Sequence, residues 1–233
     1  MFWRNPSAAF FNFMLPLLFL VAGGVILHGK QHDLNLLIPA IAGMSVMSTT
    51  FTALAYNIVF LRERGVLKRI RGTPLPTVSY FGGVAGNAVT NTALQIAIIT
   101  VAGKLFFGIG WPRDWGELVV FVVAGVVCFA ALGVAFAHTI PNFESTAAYV
   151  NAVFLPVVFV SFYVFDSSSS APAFLRNIAG ALPLKPLIDG LSGAMVTGVG
   201  LADNLSALAV IGLWGAFGVF FAIRGFSWEQ SRG

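Results

Sequence analysis

The sequence predicts an all-α integral membrane protein of six transmembrane helices, and three observations carry that reading. Of the 233 residues, 58% are hydrophobic and only 9% are charged, whereas a soluble domain carries roughly 45–50% apolar and about 25% charged residues. Apolar runs of about 20 residues, the length that crosses a bilayer, recur along the whole chain. The few basic residues are also unevenly shared between the segments that join those runs. One membrane domain covering residues 1–233 accommodates six spans with short loops.

The spans follow in order from the apolar runs. The first covers about residues 8–27 and is too long for the apolar region of a secretory signal, which is about 7–15 residues. The second covers about 37–61, the third about 79–102, the fourth about 118–137, the fifth about 147–165 and the sixth about 205–223. Pro16 and Pro156 fall inside spans one and five, where neighbouring helices can satisfy the freed carbonyl, and they predict kinks there. Between spans five and six, "DSSSSAPAFLRNIAGALPLKPLIDGLSGAM" opens on a serine turn. It continues half apolar and is broken by Pro172, Pro183 and Pro186. It predicts short broken helices lying on or dipping into the outer leaflet as a lid.

Orientation follows from charge. One set of ends and loops collects Arg4, Arg62, Arg64, Lys68, Arg69, Arg71, Arg224 and Arg232. The other set has Lys30, Lys104, Arg113, Arg176 and Lys185, outnumbered by its acids. Loops retained in the cytoplasm are rich in Lys and Arg, which places both termini inside. The same rule explains the net charge of +4 without nucleic acid, since no basic patch is interleaved with aromatics on a soluble domain.

Catalytic constellations are not evident. Gly24 to Gln31 imitates a phosphate loop but ends in Gln31, where a hydroxyl must reach Mg²⁺. His28 and His32 are four apart but have no clear third ligand, and the lone Cys128 has no partner, so no metal is expected. No span has Asp or Glu near its centre, which argues against proton-coupled transport. An enzyme is not expected.

Uncharged polar residues do form stripes. Ser45, Ser48, Thr49, Thr52 and Tyr56 share one face of the second span, and Asn57 adjoins them. Asn87, Thr90, Asn91 and Gln95 share a face of the third, and Asn151, Phe154 and Val158 share one on the fifth. Two readings stand open: interhelical glue, favoured for the third span and supported by Gly82 and Gly86 at G-x-x-x-G spacing, or the lining of a substrate path.

The most charged stretch is "FLRERGVLKRIRGTPLP", residues 60–76. It places Arg62, Glu63, Arg64, Lys68, Arg69 and Arg71 on a short helix, with Gly65 inside it. Gly72, Thr73, Pro74 and Pro76 then end it sharply. Anionic lipid explains the charge at about 1 kcal/mol per basic residue. It does not explain the embedded Glu63, Gly65 or the T-P-L-P ending.

With its order and spacing, this stretch resembles the segment after the second span in permease subunits of the type-2 ABC exporters. "NPSAAFFNFMLPLLFL" resembles that family's first span, "NAVFLPVVFVS" its fifth, and "PAFLRNIAGALPLKPLIDGLSGA" its following outer segment. The chain departs from the pattern at Ser161-Phe162, at Leu182-Pro183-Leu184 and at Gly193. Only Met1 to Ser7 stand where the family has an amphipathic elbow helix. The resemblance implies a half-transporter of the bacterial inner membrane, paired with a second copy or a sister permease. ATP and Mg²⁺ would be bound by a separate ATPase subunit and by nothing in this chain. It implies that about residues 62–73 form a coupling helix contacting that ATPase through Arg62, Glu63, Arg64, Gly65, Lys68, Arg69, Arg71, Thr73 and Pro74. A second contact would come from Asn142, Phe143 and Glu144. The substrate expected is amphipathic or lipid-like. The rival expectation is a non-transporting assembly or regulatory protein, or a channel, with a lipid-binding basic loop.

Overall fold

A computed structural model describes residues 6–27, 31–66, 77–166 and 172–225, and no strand occurs among them. Helix α1 spans Pro6–Ile26 and opens on a proline, whose missing N–H costs nothing at a helix start. Helix α2, Gln31–Met47, passes into a π-helical turn over Ser48–Thr52 and continues as α3, Ala53–Glu63. Then come α4, Thr77–Phe107, α5, Trp115–Phe136, and α6, Thr146–Asp166. Two short helices follow, α7 over Ala173–Ala181 and α8 over Leu184–Ser192, and a second π turn over Gly193–Thr197. The last described helix is α9, Leu205–Gly225.

Among the described residues, five helical stretches are long and apolar enough to cross a membrane: Leu34–Glu63, Gly86–Phe107, Trp115–Phe136, Thr146–Tyr163 and Leu205–Arg224. The described apolar part of α1, Phe13–Ile26, is shorter. α1 and α6 run through Pro16 and Pro156 as single helices, and α2 runs through Pro39 in the same way. α2 starts about two turns before the apolar run because Gln31, His32, Asp33 and Asn35 are helical although polar, with Leu34 among them already in the core. α4 likewise overruns its expected end as far as Phe107.

α5 is the hub, packing on α2, α3, α4, α8, α9 and both π turns. Small residues permit it. A Cβ on Gly133 would lie 2.7 Å from the Phe51 carbonyl oxygen, so the widened π turn of the second span rests directly on α5 backbone. A Cβ on Gly218 would lie 2.8 Å from the Leu132 backbone nitrogen, and one on Gly215 would lie 3.5 Å from Cys128 Cα. These contacts set α9 parallel to α5 at backbone distance, the close approach that small residues allow where lipid supplies no hydrophobic drive. The G-x-x-x-G at Gly82 and Gly86 does no such work within the chain at its described member, because a Cβ on Gly86 meets nothing within 4 Å.

The segment after α6 goes deeper than a lid. Leu184, Leu187, Ile188 and Leu191, at i, i+3, i+4 and i+7, are wholly buried, and α8 wedges among α2, α5, α6 and α9. Ile188 fits against Gly43 and Leu187 against Gly125. The opposite face carries the Lys185–Asp189 ion pair at 2.5 Å. The turn before α8 is held by Trp214, whose indole N–H donates to the Ala181 carbonyl at 2.6 Å.

Gly218→Val is expected to overpack the α5–α9 seam and cost about 1–3 kcal/mol. The matched change Gly212→Val, where a Cβ meets nothing within 4 Å, is expected to stay within about 0.5 kcal/mol. Thermal unfolding of both variants in detergent checks this.

Candidate functional site

The second-span helix closes on a left-handed glycine. Arg64 N–H donates to the Phe60 carbonyl and Gly65 N–H to the Arg62 carbonyl, both at 3.1 Å, and Gly65 has φ +65°. A residue with a Cβ is strained there, so glycine is the residue that ends this helix and turns the chain into the basic segment. Arg62 and Glu63 are thereby the last turn of α3, and Arg64 and Gly65 form the turn itself. Lys68, Arg69, Arg71, Thr73 and Pro74 lie outside the described residues.

That last turn is clamped to the loop after α5. Arg62 donates from Nη1 to the Ala137 carbonyl at 3.2 Å and from Nη2 to the Ile140 carbonyl. Ala137 is the C-terminal cap of α5, so a guanidinium sits where the helix dipole and its unpaired carbonyls favour a cation. The Phe143 N–H donates to Glu63 Oε1 at 3.5 Å. The Phe143 ring meets Tyr56 and Phe60 edge-on, with centroids 6.2 and 5.6 Å apart, and the Arg64 guanidinium lies 4.6 Å over the Phe60 ring. Asn142 folds the loop back: its Oδ1 accepts from Ser145 N–H at 2.9 Å, and its carbonyl accepts from the Thr146 hydroxyl at 3.2 Å. Glu144 is exposed. His138 lies in the same loop. Burial and then the neighbouring Arg62 charge hold its imidazole below the ordinary value of 6.5.

The polar stripes divide by depth. Thr49 donates to Gln95 Oε1 at 2.7 Å and ties the second span to α4, with both side chains buried. Ser45 is buried beside it, and Ser48 and Thr52 begin and end the π turn. The Thr50 hydroxyl donates to the Val46 carbonyl at 2.6 Å, adding a donor where the helical ladder changes register. On α4, Asn91 and Thr90 return to the carbonyls one turn back. Tyr56 is half-buried against Phe143, Asn57 and Asn151 are exposed, and Phe154 and Val158 pack against the core.

Glu117 was not among the expected residues. It is buried in the first turn of α5, where its Oε1 accepts from Asn204 at 2.8 Å and its Oε2 has no partner among the described residues. The readable signal was "DWGE": Asp114 caps the helix by accepting from Glu117 N–H at 2.9 Å. The return half of that capping box is missing because Asp114 N–H donates to the Ala194 carbonyl, which frees Glu117 for the loop before α9.

Residues 1–196 match the family model described as ABC-2 type transporter. No curated protein and no solved structure gave a match.

Arg62→Gln is expected to loosen the clamp by about 1.5–3 kcal/mol, the worth of hydrogen bonds from a charged group, read as a lower melting temperature in detergent. Because folding holds His138 below 6.5, the unfolded chain binds the extra proton as pH falls through that value. Stability from this group is therefore full above about pH 6.5 and is lost below it. Melting curves from pH 7.5 to 5 are expected to fall more steeply for the natural chain than for His138→Gln. A cycle of Thr49→Val and Gln95→Leu is expected to give a coupling of about 0.6 to 1.7 kcal/mol.

Proposed function

Since the chain belongs to the ABC-2 type transporter family, we propose that this permease works as the membrane half of an ATP-driven exporter, with ATP and Mg²⁺ bound by a separate ATPase subunit. In this reading six spans, α1 among them, cross a bacterial inner membrane with both termini inside. Two such permeases pair. The substrate is amphipathic or lipid-like and moves outward.

One observation supports coupling at the basic segment more than any other. The second-span helix runs without a break in chain into Arg62, turns at Gly65, and is clamped by Arg62 and Phe143 to the loop after α5. A push on the basic segment by a partner is then felt at once by the second span and by the hub helix. Lys68, Arg69 and Arg71 suit acidic groups on that partner, because complementary charge fixes register as well as attraction. Arg62 and Glu63 have a different part in this reading: they transmit within the chain and need no contact with the ATPase. The exposed Asn57 and Asn151 are the better candidates to face substrate, since Ser45 and Thr49 are buried inside a single chain and Thr49 is bonded to Gln95.

Purification from native membrane is expected to bring down an ATP-hydrolysing chain, and Arg69→Glu or Gly65→Pro to lose it. Intact assembly and transport in both variants would defeat the coupling role. A salt-sensitive interaction with lipid and no ATPase would favour the assembly or channel reading instead.

A further inference from the structure

The bundle contains an apolar groove of about 300 Å³ between α6 and α9, floored by α5 and the π turn of the second span. α6 lends Val157 and α9 lends Trp214, Phe217 and Phe221, while Leu182 closes one end and Thr139 marks the other. Among the described residues α6 and α9 share no extended contact, so the groove opens sideways between them.

Water is a poor occupant. At about 30 Å³ each, roughly ten waters would need two to four polar partners apiece. Thr139 supplies the lining's one hydroxyl, and it already donates to the Phe136 carbonyl at 2.8 Å. What lies beside the opening in a multi-pass membrane protein is hydrocarbon.

Length and charge narrow the occupant. The closed end is level with Trp214, which bonds to Ala181 next to Leu182. Gly215 lies against Cys128 and Gly218 against Leu132. The same parallel register brings Arg224 level with the loop that holds His138 and Thr139. From Trp214 to Arg224 the helix rises about 15 Å at 1.5 Å per residue. That is half of a hydrocarbon core about 30 Å thick, the depth of one leaflet. Arg224 is exposed, its guanidinium 4.2 Å over the Phe220 ring, and it follows Phe221 by three residues on the same face.

We propose that this groove seats one acyl chain of an anionic phospholipid from the leaflet on the Arg224 side, with Arg224 holding the headgroup. The chain ends against the Leu182–Pro183 turn. The lipid completes the packing that α6 and α9 lack between themselves. The site requires only that the bundle lie in a membrane, so it stands apart from the direction and cargo of transport.

The test uses full-length protein in which Trp3, Trp111, Trp115 and Trp228 are replaced by Phe, leaving Trp214 as the reporter. It is reconstituted in phosphatidylcholine vesicles containing a few per cent of chain-brominated phosphatidylglycerol or chain-brominated phosphatidylcholine. Brominated phosphatidylglycerol is expected to quench Trp214 beyond its mole fraction. Arg224→Gln is expected to lower the preference over phosphatidylcholine about fivefold, the effect of one basic residue near an anionic surface. Ala135→Phe, which fills the groove, is expected to remove the excess quenching. Equal quenching by both lipids in proportion to mole fraction overturns the proposal. Shielding of Trp214 from both, as a second copy in the groove would give, overturns it as well. Excess quenching that falls with Arg224→Gln but survives Ala135→Phe reduces the effect to headgroup attraction at the surface and overturns the seat.

Discussion

Everything in this bundle depends on how closely other backbones approach α5. Gly133 carries the π turn of the second span, Gly125 receives Leu187, and Leu132 is approached by Gly218. In lipid there is little to gain from hiding one apolar helix behind another, so association rests on van der Waals contact at short range. A side chain at any of these points would meet backbone or a buried side chain. The π turn belongs to the same constraint: it widens the second span where it lies on Gly133, and Thr50 supplies a local donor to the Val46 carbonyl.

A hub packed in this way has few independent motions. The Arg62 clamp joins the second span to the C-terminal cap of α5. α9 follows α5 through its glycine seam, and α8 is wedged against both. In the reading proposed above, movement imposed at the Gly65 turn passes to the second span, α5 and α9 together. α6 has fewer ties to the hub, and the groove beside it marks where packing is left to another molecule.

Much of this was legible in the residues. The apolar runs gave the long helices because span length is set by the bilayer and little else satisfies backbone there. The basic stretch reads as one short helix from Arg62 with Gly65 inside it and its stop at Gly72 to Pro76, whereas the left-handed Gly65 already closes the second-span helix just after Arg64. The buried stripe of α8 was readable as well, because Leu184, Leu187, Ile188 and Leu191 have helical spacing, but three prolines nearby suggested a surface segment. Other features had no local signal. Ser48 to Thr52 reads as ordinary helix, and nothing local to it marks the π turn that rests on Gly133. The partner of Thr49 lies 46 residues away on α4. The diversion of Glu117 to Asn204 depends on a loop 87 residues downstream.

The claim that the two loops at the Arg62 end move as one body is open to direct measurement. Spin labels at Val66 and Glu144 in the complex proposed above give the distance between the loops in the resting state and with ATP trapped on the proposed ATPase subunit. An unchanged distance distribution in the natural chain, which broadens with Arg62→Gln, is the result predicted. A distance that shifts between the two states with Arg62 in place would contradict it.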